Sequence, residues 1–127
     1  MIKKIKILAV VFGVVLMVAP VVNAATAITY NGTGIWSWSS VSSWTNNSNS
    51  RRYTVNHNQR LTQTSSGTLS VRIMKNNWLG GSVVSQNSFS GNTSGSFSAY
   101  LDSGTYYLRF ESGQALYKFN INGSVTY

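Results

Sequence analysis

Residues 101–127 read LDSGTYYLRFESGQALYKFNINGSVTY and contain the clearest secondary-structure signal of the chain. In the first half of this stretch, Tyr106, Leu108 and Phe110 share one parity and alternate with more polar side chains. Residues 117–127 alternate in the same way. Because successive side chains of a strand point to opposite faces, each run predicts a strand with one apolar and one solvated face. The stretch therefore predicts a β-hairpin that closes a sheet.

Short alternating runs of the same kind recur through the chain at intervals of about ten residues. Leu69, Val71 and Ile73 predict one inward-facing strand side, and Tyr53 and Val55 predict another. Segments rich in Asn, Gly and Ser separate the runs, and no helical period of useful length follows the N-terminal segment. The sequence therefore predicts an all-β fold, either an antiparallel sandwich or a barrel.

Two stretches outside these runs predict breaks in the sheet. Residues 27–30 predict a short strand that ends at Asn31 and Gly32, a pair that supplies the positive φ angles of a tight turn. Residues 85–96 are rich in Ser, Asn and Gly and hold one apolar side chain, Phe89. This composition predicts a mobile loop.

The N-terminal segment has the organisation of a secretory signal peptide. It begins MIKKIK, continues with an apolar run over residues 7–22 and reaches small residues at Ala24. A membrane anchor is the alternative, but the run is short for a span of about 20 residues. We expect a signal peptide over residues 1–24, with cleavage near Ala27 as a variant, and a single secreted domain over residues 25–127.

The charge balance favours anionic partners. Removal of the signal peptide takes three lysines from the ten basic residues, which leaves seven against Asp102 and Glu111, a net charge of +5. Such an excess attracts cell-wall polymers, anionic lipid headgroups and nucleic acid, although the chain has no specific nucleic-acid motif. Cysteine is absent, so neither disulfides nor thiolate metal sites contribute to stability.

Catalytic chemistry has few candidate residues in this chain. Asp102 precedes a predicted strand that Glu111 ends, which places the two carboxylates on the order of 25 Å apart, too far to share a glycosidic bond. His57 has no acid or cysteine near it in sequence, and the chain has no phosphate-binding loop, dinucleotide fingerprint or zinc spacing. The sequence therefore predicts a protein that is not an enzyme and uses no cofactor or metal.

Tryptophan and arginine provide the candidate ligand-binding groups. The stretch GIWSWSSVSSW, residues 34–44, places Trp36 and Trp38 on one side of an extended strand, with Trp44 a few residues further on. These three tryptophans predict either core packing or, for at least one of them, a platform that stacks on sugar rings or an anchor at a membrane interface. Arg51, Arg52 and Arg60 predict either a charged edge strand that discourages aggregation or a basic patch for anionic polymers. The full set of candidate ligand-binding residues comprises Trp36, Trp38, Trp44, Arg51, Arg52, Arg60, Arg72, Lys75 and Trp78.

The closing segments SGTYYLRFESG, residues 103–113, and YKFNINGSVTY, residues 117–127, resemble the end of bacterial pre-peptidase C-terminal-type β-sandwich domains. The upstream TLSVRIMKNN, residues 68–77, is similar to an earlier inner strand of that family. The resemblance implies a jelly-roll-like sandwich of the kind that serves secreted enzymes as an accessory module, where it binds polymers or aids secretion.

Three functions remain open at this level. The first is a small secreted, non-enzymatic protein that binds an anionic or glycan component of a cell surface or matrix. The alternative is a cationic antimicrobial or bacteriocin-like toxin that acts on membranes, and the third is a structural extracellular component that self-assembles. A flat exposed row of Trp beside basic residues favours the first function, whereas an exposed apolar tip or loop favours the second.

Overall fold

The computed structural model describes residues 24–63 and 66–127, and nearly all of the predicted signal peptide lies outside the described residues. The described residues form eight strands and no helix, so no apolar helix of membrane-spanning length occurs among them. The strands are β1 (Thr26–Ile35), β2 (Ser37–Asn46), β3 (Arg51–Leu61), β4 (Thr68–Lys75), β5 (Ser82–Ser90), β6 (Thr93–Leu101), β7 (Gly104–Glu111) and β8 (Phe119–Thr126).

The strands form two four-stranded antiparallel sheets. Sheet A has the order β1-β8-β3-β6 and sheet B has the order β2-β7-β4-β5. Most connections cross from one sheet to the other, and this order is that of an eight-stranded jelly roll. The prediction of an all-β, jelly-roll-like antiparallel sandwich is confirmed.

The predicted closing hairpin is wrong. β7 pairs with β2 and β4 in sheet B, whereas β8 pairs with β1 and β3 in sheet A. The predicted faces are nevertheless correct, since Tyr106, Leu108 and Phe110 are buried. Alternation shows which side of a strand is apolar but carries no information about its neighbour, and residues 112–118 are long enough to cross between the sheets.

The tight turn predicted at Asn31 and Gly32 is also wrong, because β1 continues through both residues. They pair with Asn122 and Ile121 of β8, and the break in pairing comes later, between Gly32 and Ile35. Gly34 has a φ of 61° at that irregularity. Pairing with β8 thus overrides the local turn preference of the Asn-Gly pair.

The mobile loop predicted over residues 85–96 is wrong, because these residues belong to β5 in sheet B and β6 in sheet A. The turn is confined to residues 91 and 92, with Gly91 at a φ of 68°. Serine hydroxyls on β5 contact β4, as in the pair of Ser88 Oγ and Ser70 Oγ at 3.3 Å. β5 lies at the edge of sheet B and buries one large side chain, Phe89. Because its other side chains are mostly polar and exposed, the sequence lacks the apolar alternation that would predict a strand.

The inner faces of the two sheets form one core around Phe110. Its ring centroid lies 5.0 Å from that of Tyr30, 5.7 Å from that of Trp38 and 5.9 Å from that of His57. Fully covered aliphatic side chains from both sheets complete the layer; they are Val55, Leu69, Val71, Ile73, Leu108 and Val125. Because this core fills the space between the sheets, binding groups are left to the outer faces and the two ends.

Candidate functional site

The outer face of sheet B carries a three-residue ionic network. Arg72 on β4 and Arg109 on β7 are direct cross-strand partners, an arrangement that brings two like charges together. Glu111 lies between them: its Oε1 is 2.7 Å from Arg109 Nη2, and its Oε2 is 3.2 Å from Arg72 Nη1. One carboxylate thus forms salt bridges with two guanidinium groups, and the network has a net positive charge.

The arginines hold Glu111 in its ionised form. The hydrogen bond from Arg109 is the main reason that the pKa of Glu111 lies below its usual value, and the nearby charges of Arg109 and Arg72 act in the same direction. Neutral partners fix the arginines in turn. Arg109 donates to the hydroxyls of Ser39 and Ser37 at 3.2 and 3.3 Å, and Arg72 donates to Gln86 Oε1 at 3.1 Å. The network is therefore preorganised across all four strands of the sheet.

Trp36 borders this network at one end of the sandwich. It lies between β1 and β2, 42% of its surface is exposed, and its carbonyl accepts a 2.8 Å hydrogen bond from the Ser112 amide. A shallow recess of about 190 Å³ is lined by Trp36, Ser37, Glu111 and Gly113. We call this recess, together with Arg72 and Arg109, the Trp36 site. It combines an exposed indole with fixed hydrogen-bond donors and acceptors.

The other two tryptophans of the predicted platform pack inward. Trp38 is partly buried and stacks on Phe110 with ring centroids 5.7 Å apart. Trp44 is 6% exposed and stacks on Tyr106, and its indole Nε1 has no hydrogen-bond partner among the described residues. Burial therefore removes Trp44 as a stacking residue, and Trp36 is the most exposed of these three tryptophans.

The predicted arginine cluster is not a cluster. Arg51 and Arg52 begin β3 and Arg60 lies near its end, so Arg52 and Arg60 are roughly 27 Å apart along the strand. The interpretation of this segment as a charged edge strand is also wrong, because β3 is paired on both sides by β6 and β8. Arg60 instead lines a separate polar recess with Asn92 and Ser94.

The remaining predicted residues lie at the end of the sandwich opposite Trp36. Lys75 ends β4, with its Nζ 6.0 Å from the ring centroid of Tyr106, and Arg51 lies over the ring of Tyr127 at 5.2 Å. Trp78 lies in the β4–β5 turn and is 91% exposed. The nine candidate residues thus divide between the two ends, the two outer faces and the core, and they do not form one site.

Sequence reasoning missed the residues that complete the Trp36 site: Ser37, Ser39, Gln86, Arg109 and Glu111. The spacing of Arg109 and Glu111 on one strand face was a usable signal, because it places both on the solvated side of β7. Ser37 and Gln86 come from β2 and β5, and only the pairing of those strands brings them to this face.

A second polar group lies inside the core and is structural. The Tyr30 hydroxyl lies 2.7 Å from His57 Nδ1, and His57 Nε2 lies 2.8 Å from Gln59 Oε1. The Gln59 amide nitrogen donates to the carbonyls of Phe89 and Gly91 at 3.0 and 2.8 Å. Because the Gln59 amide nitrogen donates to these carbonyls, Gln59 Oε1 is left to accept a hydrogen bond from His57 Nε2. His57 Nδ1 then accepts a hydrogen bond from the Tyr30 hydroxyl. Burial lowers the pKa of His57, which keeps the ring neutral.

No protein-family model and no curated protein matches this sequence. The fold is similar to a solved carbohydrate-binding module, "CBM4 structure and function", with a TM-score of 0.52 and 11% identity over 81% of this chain and 77% of that one. A second solved structure, "BiXyn10A CBM1 APO", aligns at a TM-score of 0.45 and 15% identity over 81% of this chain and 92% of that one. At such identities the first likeness concerns the fold alone.

Proposed function

We propose that this protein is a non-enzymatic binding domain that is secreted and recognises a glycan, neutral or anionic, of a cell surface or matrix. The observation that carries the proposal is the Trp36 site, where an exposed indole lies in one recess with the Glu111 carboxylate. An apolar sugar face stacks on an aromatic ring, while its hydroxyls need fixed donors and acceptors. Trp36 offers the ring, and the network of Arg72, Arg109 and Glu111 offers the polar partners.

Three further points support the proposal. The fold is shared with a carbohydrate-binding module over most of both chains. In addition, the two arginines exceed the single carboxylate in charge, which favours glycans that carry carboxylate or phosphate groups. The resemblance to pre-peptidase C-terminal-type domains, a prediction from the closing strands, points in the same direction because it implies a polymer-binding module.

We expect the purified protein to be retained on at least one matrix of a panel of cellulose, chitin, peptidoglycan and teichoic-acid-bearing cell wall. The Trp36→Ala variant should bind that matrix at least about tenfold more weakly, because a central tryptophan contributes about 2 kcal/mol or more to recognition. Depletion from the supernatant at increasing matrix concentration measures the affinity.

Trp78→Ala is the matched control, since it removes an exposed indole from the opposite end of the sandwich. It should bind as the wild-type protein does. Arg109→Gln should weaken binding and reduce its dependence on salt. The proposal fails if the wild-type protein passes through every matrix at low salt, or if Trp36→Ala and Trp78→Ala lose binding equally.

The apolar tip of the β4–β5 turn favours a second candidate function, contact with membranes. Trp78 and Leu79 are 91% and 75% exposed, and Val83 at the start of β5 is 49% exposed. The turn is fixed by Asn77, whose carbonyl accepts from the Gly80 amide and whose side chain accepts from the Leu79 amide, both at 3.0 Å. Exposed apolar groups on a fixed turn beside cationic side chains are typical of surfaces that enter lipid.

This second function predicts binding to vesicles of mixed phosphatidylglycerol and phosphatidylcholine, with weaker binding to vesicles of phosphatidylcholine alone. Trp78→Ser combined with Leu79→Ser should abolish sedimentation with the anionic vesicles, whereas Trp36→Ala should have no effect. The two exposed tryptophans therefore act as reciprocal controls in the glycan and vesicle assays. Equal sedimentation of the wild-type protein and the tip variant would exclude the tip as a membrane contact.

A further inference from the structure

The charged residues of the described chain avoid the edges of both sheets. The interior strands β3, β4 and β7 hold seven of them, and Asp102 and Lys118 lie in connections between strands. The four edge strands, β1, β2, β5 and β6, contain no Asp, Glu, Lys, Arg or Pro. Natural sheets commonly protect their edges with such residues, because an edge strand offers free N–H and C=O groups to another strand.

β6 is the most regular of these edges. Its nine residues pair with β3 from Arg51–Leu101 to Gln59–Thr93 without a break in register. By contrast, irregularities interrupt β1 near Gly32 and β2 between Ser39 and Ser43, and bulges of this kind hinder pairing with another chain. β5 also has a shift near its start. β6 is therefore the edge with the least protection against an added strand.

The inner side of β6 is apolar and incompletely covered. Phe97 and Ala99 pack against the core but are only partly buried, and the Phe97 ring centroid lies 6.3 Å from that of Phe89. The outer side carries Ser96 and Ser98, both exposed. An additional strand along β6 would cover the open flank of Phe97 and Ala99 without burying any charge.

We propose that β6 is a homodimerisation edge at which a second copy of this chain pairs through its own β6, antiparallel, about a two-fold axis near Phe97. Sheet A of the two copies then forms one continuous eight-stranded sheet. The pairing is self-complementary, because Ser96 of one copy faces Ser98 of the other, and a two-fold contact of this type closes at the dimer. Two copies of a basic protein repel each other, and this seam is uncharged where they meet.

The seam involves one strand from each copy, so we expect a dimer that dissociates in the micromolar to millimolar range. Light scattering on purified protein between about 10 μM and about 1 mM should show the mass rising from that of a monomer to that of a dimer. A wild-type protein that remains monomeric at the highest concentration, or that grows into open-ended polymers, would overturn the proposal.

Charge substitutions at the seam test its position. Ser96→Lys combined with Ser98→Lys places lysines opposite lysines in the dimer and should weaken association at least about tenfold, and Ser96→Glu combined with Ser98→Glu should do the same. An equimolar mixture of the two variants should form a heterodimer, since each lysine then faces a glutamate. If the mixture stays monomeric, or either variant dimerises as the wild-type protein does, β6 is not the interface.

Hydrogen exchange on the wild-type protein provides a test that requires no variant. The β6 amides that point away from β3 should become protected as concentration rises through the dimer range, whereas the free edge of β1 should not change. Protection that appears on β1 instead of β6, or on neither edge while the mass increases, would contradict pairing through β6.

Discussion

Replacing Gly123 with alanine should lower the free energy of unfolding by about 3 kcal/mol or more, although alanine ordinarily suits a strand better than glycine. Gly123 lies in β8 between its partners Tyr30 of β1 and His57 of β3. A Cβ at this position would collide with the backbone oxygen of Asn56 and with the hydroxyl and ring of Tyr30. The Tyr30 ring covers the glycine, so its displacement would also break its 2.7 Å hydrogen bond to His57.

Urea denaturation followed by near-ultraviolet circular dichroism measures the loss. Gly34→Ala is the control, because its Cβ would meet nothing within 4 Å and only the φ of 61° opposes it, a cost of about 1 kcal/mol. Combining Gly123→Ala with Tyr30→Phe should cost less than the sum of the two single changes, since both disturb the same hydroxyl. Gly123→Ala with unchanged stability would show that β8 and Tyr30 can separate without penalty.

The sequence allowed prediction of the strand faces better than of their partners. The inward positions of β4 and β7 follow from alternation, because Leu69, Val71, Ile73 and Leu108 are all buried. The pairing of β7 with β2 and β4 depends on which surfaces meet in three dimensions, and the alternation of apolar and polar side chains does not predict which strands become neighbours. Met74 has the outward parity of Arg72, yet only 8% of its surface is exposed. It lies on the outer face beside its cross-strand partners Tyr107 and Val83, and the sequence does not reveal these partners.

The candidate site was predictable only in part. Trp36 and Arg72 belong to the predicted set and lie at the site. Trp44 was indistinguishable from Trp36 by residue type, since its burial depends on stacking between Tyr106 and Tyr53, which no local pattern encodes. Arg51, Arg52 and Arg60 are close in sequence, but an extended strand separates its ends, so neighbouring positions in the chain did not produce a patch.

Acidification from pH 7 to pH 5 should reduce the stability of this protein through His57, the only histidine of the chain. Burial lowers the pKa of His57 in the folded protein below the unfolded value of 6.5. Above about pH 6.5, His57 is neutral in both the folded and the unfolded protein, so its ionisation does not change the free energy of unfolding. Below it the unfolded chain binds a proton that the folded chain does not, and the free energy of unfolding falls by up to about 1.4 kcal/mol per pH unit until the folded pKa is reached.

Other shifted groups titrate outside this interval. The pKa of Glu111 is lowered from 4.5, so its stabilising effect is lost only at lower pH, and the buried tyrosines have raised pKa values far above neutrality. Urea titrations at half-unit steps should therefore show a slope between pH 7 and pH 5 that disappears in His57→Leu. An equal slope in that variant would assign the pH dependence elsewhere. A flat profile in the wild-type protein would mean that the core network of Tyr30, His57 and Gln59 accepts a proton without loss of stability.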